Sequence, residues 1–512
     1  MTARCGIGNA MACRLTDAAL AGLPHDIARP AFDRARLRPG IVHLGIGAFH
    51  RAHQAMINDL ALAATGDARW GIVGISLRSP GTRDALQPQC GLYTVALRDA
   101  DAAGAPRESL SVVGSVMRVL VAPEDPGAAV AQIAHPDTRI VSLTITEKGY
   151  CHDPASGRLR LDDPDIAHDL AHAGAPRTAV GLLVSGLARR RDSGAGPVTL
   201  LSCDNLPSNG DTLRALVLEF ASASACGAQL CRWIETHCTF PNSMVDRIVP
   251  RTTDADRRHI ATRLGVHDAW PVVAEPFLEW VIEDRFAAGR PAWDQPGGAR
   301  FASDARPFEQ MKLRMVNGPH SALACLGASA GLDTVSQAMQ DAALRGYIDA
   351  LIRDEIIPTL PDVPGADLGA MRLRLLARFA NPALPHRLQQ IAMDGSQKLP
   401  QRLLATLRER ILAGSDYRRL ALAVTAWLHY LRGHDEAGVT YTIHDPLAGE
   451  LQALLARAGQ GADADLRRAQ ALIAYRPVFG DLAGHRGLTD AVARHAYTLR
   501  QCGVRAAVRE AI

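Results

Sequence analysis

Between residues 41 and 205, short apolar runs alternate with helical stretches, and this alternation constrains the fold more than any other feature. The run IVHLGIGAF (41–49) meets two glycines and leads into a proline-free helical stretch over 50–64. WGIVGISL (70–77) and RIVSLTIT (139–146) are strongly apolar, residues 119–121 offer a further short strand, and a helical stretch over 178–190 precedes PVTLLSCDN (197–205). Strands apolar on both faces, separated by helices, predict a parallel sheet covered by helices on each side. From about residue 300 the period changes. Apolar residues recur at helical spacing over 308–316, 322–330, 346–356, 368–379, 401–412, 417–431, 446–458 and 488–499, and strand-like runs are scarce. The predicted architecture is a lead-in over 1–37, an α/β domain with a parallel-rich sheet over 38–299, and an all-helical domain over 300–512. PAWDQPGGAR (291–300) reads as the hinge between them.

Composition narrows the class. A chain of 512 residues with 47% apolar content supports two to four domains, each with its own core. Basic and acidic residues, 56 and 53, are interspersed, which argues against nucleic acid or an anionic membrane as partner. No apolar run reaches the ~18 residues of a membrane span. The first residues lack a basic segment followed by an apolar core, so no secretory signal is expected. Met11 is an alternative start, so residues 1–10 stand apart from the fold reading. The ten cysteines are scattered without a CxxC pair, as expected of a cytoplasmic, reduced protein. Cys226, Cys231, His237 and Cys238 cluster loosely but fit no zinc spacing, so thiols rather than a metal site are expected.

Only three lysines occur, Lys148, Lys312 and Lys398, against 53 arginines. Surface charge tolerates that exchange, but a group that must lose a proton does not, because guanidinium stays protonated while a buried ammonium shifts its pKa. The three lysines are therefore candidates for work that arginine cannot do.

Gly45 and Gly47 close the first strand. Such glycines let a backbone turn sharply against a dinucleotide pyrophosphate. The third glycine of G-x-G-x-x-G is absent, and His50 stands there. An acidic residue at the end of the second strand would read the ribose of NAD; Arg78 and Ser79 stand there instead and would tolerate the 2′-phosphate of NADP. His50 and His53 are expected to pack or hydrogen-bond near the first helix.

The richest segment is FEQMKLRMVNGPH (308–320). Lys312, Asn317 and His320 lie within nine residues, and Glu309 precedes the lysine by one turn. Gly318-Pro319 is expected to break or start a helix, leaving Lys312 near one helix end while Asn317 and His320 open the next. Oxidation of an alcohol by hydride loss needs such a set: a base for the hydroxyl proton and neutral donors for the developing negative charge on oxygen. Lysine serves as base only where desolvation lowers its pKa. Glu309 could pass the proton onward. Asn205 ends an apolar strand, and Lys148 follows another in TEKGY. Both point to the edge where ligands of open parallel sheets gather. Ordinary structural readings stand beside these: a solvated amphipathic helix for 308–316, an Asx turn for Asn205.

Seven ordered segments, GIGAFHRAHQ (45–54), TEKGY (146–150), SCDNLPSNG (202–210), FPNSMVDRIVP (240–250), EPFLEWVIED (275–284), KLRMVNGPH (312–320) and DGSQKLPQR (394–402), resemble the polyol-specific long-chain dehydrogenases. That family includes mannitol 2-dehydrogenase and fructuronate reductase. The resemblance implies a Rossmann-type N-terminal domain, a helical C-terminal domain with the site between them, NAD as coenzyme with NADP an alternative, and no metal. It places the base on Lys312, the oxygen-polarising asparagines on Asn205 and Asn317, the orienting histidine on His320, the proton relay on Glu309 and a substrate-side carboxylate on Asp246. For Asp246 a plain carboxylate paired with Arg247 is the alternative. Gly45, Gly47, Phe49, His50 and Arg78 are the candidate coenzyme contacts. Pro319 departs from the small polar residue expected there.

Lys398 and Arg402, with Lys148, bear on substrate. Two cations near the far end of a sugar favour a carboxylate, as in mannonate or fructuronate; a single lysine fits mannitol and fructose. The expected activity is interconversion of a linear polyol or aldonate and its 2-keto sugar, mannitol 2-dehydrogenase-like, with fructuronate reduction as the alternative. A monomer or small homo-oligomer is expected. Competing readings are a metal-dependent alcohol dehydrogenase, a decarboxylating hydroxy-acid dehydrogenase and a non-enzymatic nucleotide-binding protein.

Overall fold

The computed structural model describes residues 13–101, 105–153, 156–225, 227–461 and 463–512. Residues 1–10, Met11 and Cys226 lie outside them. In the described part of the lead-in, short 3-10 turns form at Asp17–Gly22 and Arg34–Arg36.

A six-stranded sheet runs in the order Val116–Val121, Ile72–Ser76, Ile41–Leu44, Ile140–Leu143, Val198–Ser202, Cys238–Thr239, and every pair is parallel. The register sets Ile41 beside both Ile72 and Ile140, and Leu44 beside Ile75 and Leu143. Alternation along the first strand sends Ile41 to one core and Val42 and Leu44 to another, so both faces are apolar and both are covered. The second of these cores is closed by the helices Pro126–Ile133, Ala179–Ser193 and Asn209–Ala223. Strands are laid down first on one side of Ile41–Leu44 and then, from Ile140, on the other. The reversal makes the carboxyl ends of Ile41–Leu44 and Ile140–Leu143 the switch point of the sheet.

Two small sheets were not legible as strands. One joins Val272–Ala274, Tyr93–Ala100 and Pro106–Val113; the other joins Arg300–Ala302, Glu279–Glu283 and Ser243–Asp246. Pro106–Val113 (PRESLSVV) starts polar and exposed, which hides the strand period. The helix expected over 50–64 is two helices, Ala48–Ala52 and Gln54–Thr65, joined at His53. The segment expected as a hinge is built into the first compact unit. Trp293 is fully buried there and donates to Asn58 Oδ1 at 2.9 Å, and Arg300–Ala302 pairs with Val281–Glu283. That unit contains Arg107–Glu309, and the second contains Gln310–Ile512. The stretch Gln310–Ile512 is helical, with no strand element among its described residues.

The chain does not break at Gly318-Pro319. Arg306–Met311 passes into a π-helical turn, Lys312–Asn317, and then into the α-helix Gly318–Ser329. The Gly318 amide closes an i→i+5 bond on the Leu313 carbonyl. The widened turn lies just ahead of Pro319, so a residue without an amide hydrogen is accommodated without ending the helix. Gly318 has a packing role. A Cβ there would lie 2.6 Å from the Arg402 carbonyl oxygen, so only glycine lets this helix reach the backbone of Pro400–Leu404. No helix among the described residues is long and apolar enough to cross a membrane.

Candidate active site

At the sheet's switch point Gly45 has φ +90, and a Cβ on it would lie 2.2 Å from the Thr144 carbonyl. Only glycine fits where the two strand ends converge. Gly47 caps Ala48–Ala52 and is exposed; a Cβ there would meet nothing closer than the Gly45 carbonyl at 3.8 Å. Phe49 stacks on His53 with ring centroids 5.0 Å apart. His50 is fully buried and stacked on His43 at 3.4 Å, as expected of a packing histidine. His43 is held by Ser142 Oγ and Thr144 Oγ1, both at 2.8 Å, and burial lowers its pKa to about 3. Arg78 is exposed beyond the second strand.

The turn after Val198–Ser202 carries Asn205, exposed, and beside it Asp204, which the sequence reasoning passed over. The Asp204 carboxylate accepts from the amides of Ile145 (2.9 Å) and Thr146 (3.0 Å) and from the Tyr150 hydroxyl (2.8 Å). It thus ties the Asn205 turn to the segment that presents Lys148, itself exposed. Burial pushes the Asp204 carboxyl up to about 6 in spite of those three donors. Asn209 extends the network, donating to the carbonyls of Asp204 and Ser243. Asp246 is buried at the end of Ser243–Asp246, opposite Glu279. The Arg247 guanidinium turns elsewhere, donating to the carbonyls of Glu275 (2.9 and 2.7 Å) and Ala52. Both oxygens of Glu309 accept from the Ser208 amide, at 3.1 and 3.0 Å. Ser208 holds a left-handed φ of 43, and this contact orients the carboxylate.

In the helical unit Lys312, Asn317 and His320 are all buried. Along an α-helix five residues advance about 500°, leaving side chains about 140° apart. The wider π-turn brings Lys312 and Asn317 toward one face. Asn317 Nδ2 and His320 Nε2 have no hydrogen-bond partner among the described residues. Buried polar atoms are nearly always paired, and exceptions mark sites where a ligand completes the set. The His320 ring stacks on Phe379 (4.6 Å) and meets His386 edge-on (5.1 Å). Its pKa lies well below the usual histidine value, chiefly from burial and further from His386, Arg402, Arg378 and Lys312. His320 is thus a neutral imidazole beside cations. Arg402 donates to Ser321 Oγ at 3.1 Å, and Lys398 Nζ donates to the Met393 carbonyl at 2.6 Å. Phe379, His386 and Ser321 had no pattern by which the sequence could single them out.

Of the described members of the loose cysteine cluster, His237 stacks on Trp233 and bonds its carbonyl, and Cys231 faces the Leu218 carbonyl. Among the described residues no group of three or more His, Cys, Asp or Glu is placed to hold a metal ion.

A doubly wound sheet with a glycine turn at its switch point, followed by a helical unit with a buried lysine, asparagine and histidine, defines a dinucleotide-dependent oxidoreductase. A family model for the mannitol dehydrogenase Rossmann domain matches residues 39–295, and one for the mannitol dehydrogenase C-terminal domain matches residues 304–500. The D-mannonate oxidoreductase of Escherichia coli (strain K12) is 45% identical over 460 residues, 89% of this chain and 92% of that protein. The mannitol 2-dehydrogenase of Pyrenophora tritici-repentis is 40% identical over 447 residues, covering 86% and 77% of the two chains. The solved structure of Pseudomonas fluorescens mannitol 2-dehydrogenase in ternary complex with NAD and D-mannitol superposes with a TM-score of 0.88 at 39% identity, covering 97% of this chain and 99% of that one. The chain belongs to the mannitol dehydrogenase family.

Proposed function

We propose that the protein is an NAD-dependent polyol 2-dehydrogenase that interconverts a linear polyol, mannitol in the first instance, and its 2-keto sugar. The observation that carries this reading is the buried π-turn of Lys312–Asn317, with Asn317 Nδ2 and His320 Nε2 left without partners among the described residues. The sheet edge suits a dinucleotide: Gly45 lets the first strand end turn tightly against Thr144, Gly47 leaves open space at the start of Ala48–Ala52, and Phe49 and His50 shape the turn behind them. Arg78, exposed past the second strand, suits a 2′-phosphate, so NADP is the second coenzyme to test. A bound nicotinamide supplies the hydride acceptor.

The chain's own residues do the rest. Lys312, buried in the helical unit, takes the proton of the C2 hydroxyl through its unprotonated amine. Asn317 and Asn205 donate to the oxygen as it gains negative charge, and neutral His320 holds the hydroxyl in line. Glu309, oriented by the Ser208 amide, passes the proton onward from Lys312. Asp246 and Lys148 bind substrate hydroxyls, and Lys398 and Arg402 receive the far end of the sugar. A second reading, oxidation of mannonate to fructuronate, is favoured by Arg402. Its guanidinium bonds Ser321, next to His320, and presents a cation suited to a carboxylate. The domain division at 38–299 and 300–512, a reducing cytoplasmic setting and a monomeric or small homo-oligomeric state complete the proposal.

The test is a coenzyme-coupled absorbance assay with mannitol, arabinitol and mannonate, each with NAD and with NADP. Fastest turnover on mannitol with NAD is expected. Preference for mannonate moves the assignment to the second reading, and no reduced coenzyme with any of the three ends the substrate class.

A further inference from the structure

Within the helical unit, a cavity of about 550 Å³ opens among the helices Arg418–Tyr430, Ala448–Arg457, Ala464–Ile473 and Arg486–Cys502. None of the residues assigned to the reaction lines it. Three arginines, Arg432, Arg468 and Arg500, converge on it, with His429 and Asp465 buried at its floor and His434 at its side. Asp465 takes two of the arginines: Arg500 Nε donates to it at 2.9 Å and Arg468 lies at 3.4 Å. Arg432 forms no ion pair among the described residues. Its guanidinium faces two imidazoles, with His429 nitrogens at 3.1 and 3.3 Å and His434 Nε2 at 3.2 Å.

Three guanidiniums crowd one carboxylate at the wall of this cavity. The effect is felt at Arg432, whose pKa is lowered by burial, by Arg468 and by Arg500, against Tyr441 and Asp465. An adjoining cavity of about 400 Å³ shares Arg432, Arg500, His429 and His434 and adds two acids, Asp435 and Glu436. Asp435 accepts from the amides of Ala437 and Val439, at 2.9 and 2.8 Å, and Glu436 caps the Val504 amide at the start of Val504–Ala511.

We propose that this cavity is a binding site for a phosphate dianion carried by a small molecule, separate from the substrate site. Guanidiniums approaching from two helices and from the turn after a third match a tetrahedral group with three terminal oxygens, and arginine is the side chain suited to phosphate by its planar fork of donors. The cavity is large enough for a phosphorylated sugar as well as for free phosphate. The site lies one helix away from the reaction segment: Arg418–Tyr430, which ends at the cavity, packs along Gly318–Ser329.

The test is titration calorimetry of the full chain with inorganic phosphate and with a hexose 6-phosphate, at ionic strength held constant with sodium chloride. Saturable binding is expected, weakened about tenfold or more in Arg432→Gln, since one charged donor is lost. Arg432 has no ion pair to lose, so this variant is expected to melt with the wild type. A tighter hexose phosphate identifies an ester as the ligand; equal affinities identify free phosphate. Absence of saturable binding, or binding unchanged in both Arg432→Gln and Arg468→Gln, overturns the proposal.

Discussion

The turn at residues 202–209 and the π-turn at 312–317 both carry residues assigned to the reaction, yet they treat their polar groups in opposite ways. In the first, Asp204, Asn209, Ser202 and Tyr150 satisfy one another and the neighbouring backbone. In and just after the second, Asn317 Nδ2 and His320 Nε2 are buried without partners among the described residues. A closed network fixes geometry. Groups left unsatisfied in the interior hold free energy that only a bound molecule releases. The sheet edge is thus built to position and the helix to react, and substitutions separate the two.

The largest effect falls on the helix. Lys312→Met should lower kcat by about 10²–10⁴-fold, and Asn317→Ala by about 10²–10³-fold. Asn317→Ala should leave the melting temperature near the wild-type value, because the amide nitrogen it removes is buried with no hydrogen-bond partner among the described residues. Steady-state kinetics and thermal melts on the same preparations check both halves; a drop in melting temperature equal to that of a core truncation breaks the contrast.

On the sheet side the effect is on stability and has a sign. Asp204 is pushed up to about 6 when folded, against an ordinary aspartate value near 4 when unfolded. Its stabilising contribution is complete below the unfolded value and is lost as pH rises through about 6. The loss amounts to roughly 3 kcal/mol at most. Denaturant melts from pH 4 to 7 should show this decline in the wild type and a flatter profile in Asp204→Asn. Parallel profiles would remove Asp204 from its positioning role.

The smallest effect tests the close approach that holds the reacting helix. Gly318→Ala sets a Cβ against the Arg402 carbonyl, and overpacking of this kind costs about 1–3 kcal/mol. A lower denaturation midpoint with a raised KM is the expected outcome, since Arg402 moves with the backbone. An unchanged midpoint would show that the two segments yield without strain.

Much of the α/β half was legible because both faces of its strands are buried. Ile41–Leu44, Ile72–Ser76, Ile140–Leu143 and Val198–Ser202 read as apolar runs on their own. The strands Pro106–Val113 and Ser243–Asp246 did not, since polar residues and short length erase a period of two. The segment 308–320 stood out through residue chemistry, but its geometry was misread. Gly318-Pro319 carries a strong local signal for a helix boundary, and the tertiary context overrode it.

The amino-acid order alone determined the alternation that makes a parallel sheet, the glycine turn at its first strand and the lysine kept where arginine is otherwise universal. These are local properties, set by side-chain period, backbone freedom and proton chemistry. Only the tertiary structure decided that the chain continues through Pro319 as a π-turn, that Glu309 rests on the Ser208 amide and that Phe379 and His386 frame His320. Those outcomes depend on contacts between residues far apart in the chain, such as Gly318 against Arg402, and no local pattern encodes which distant backbone will arrive.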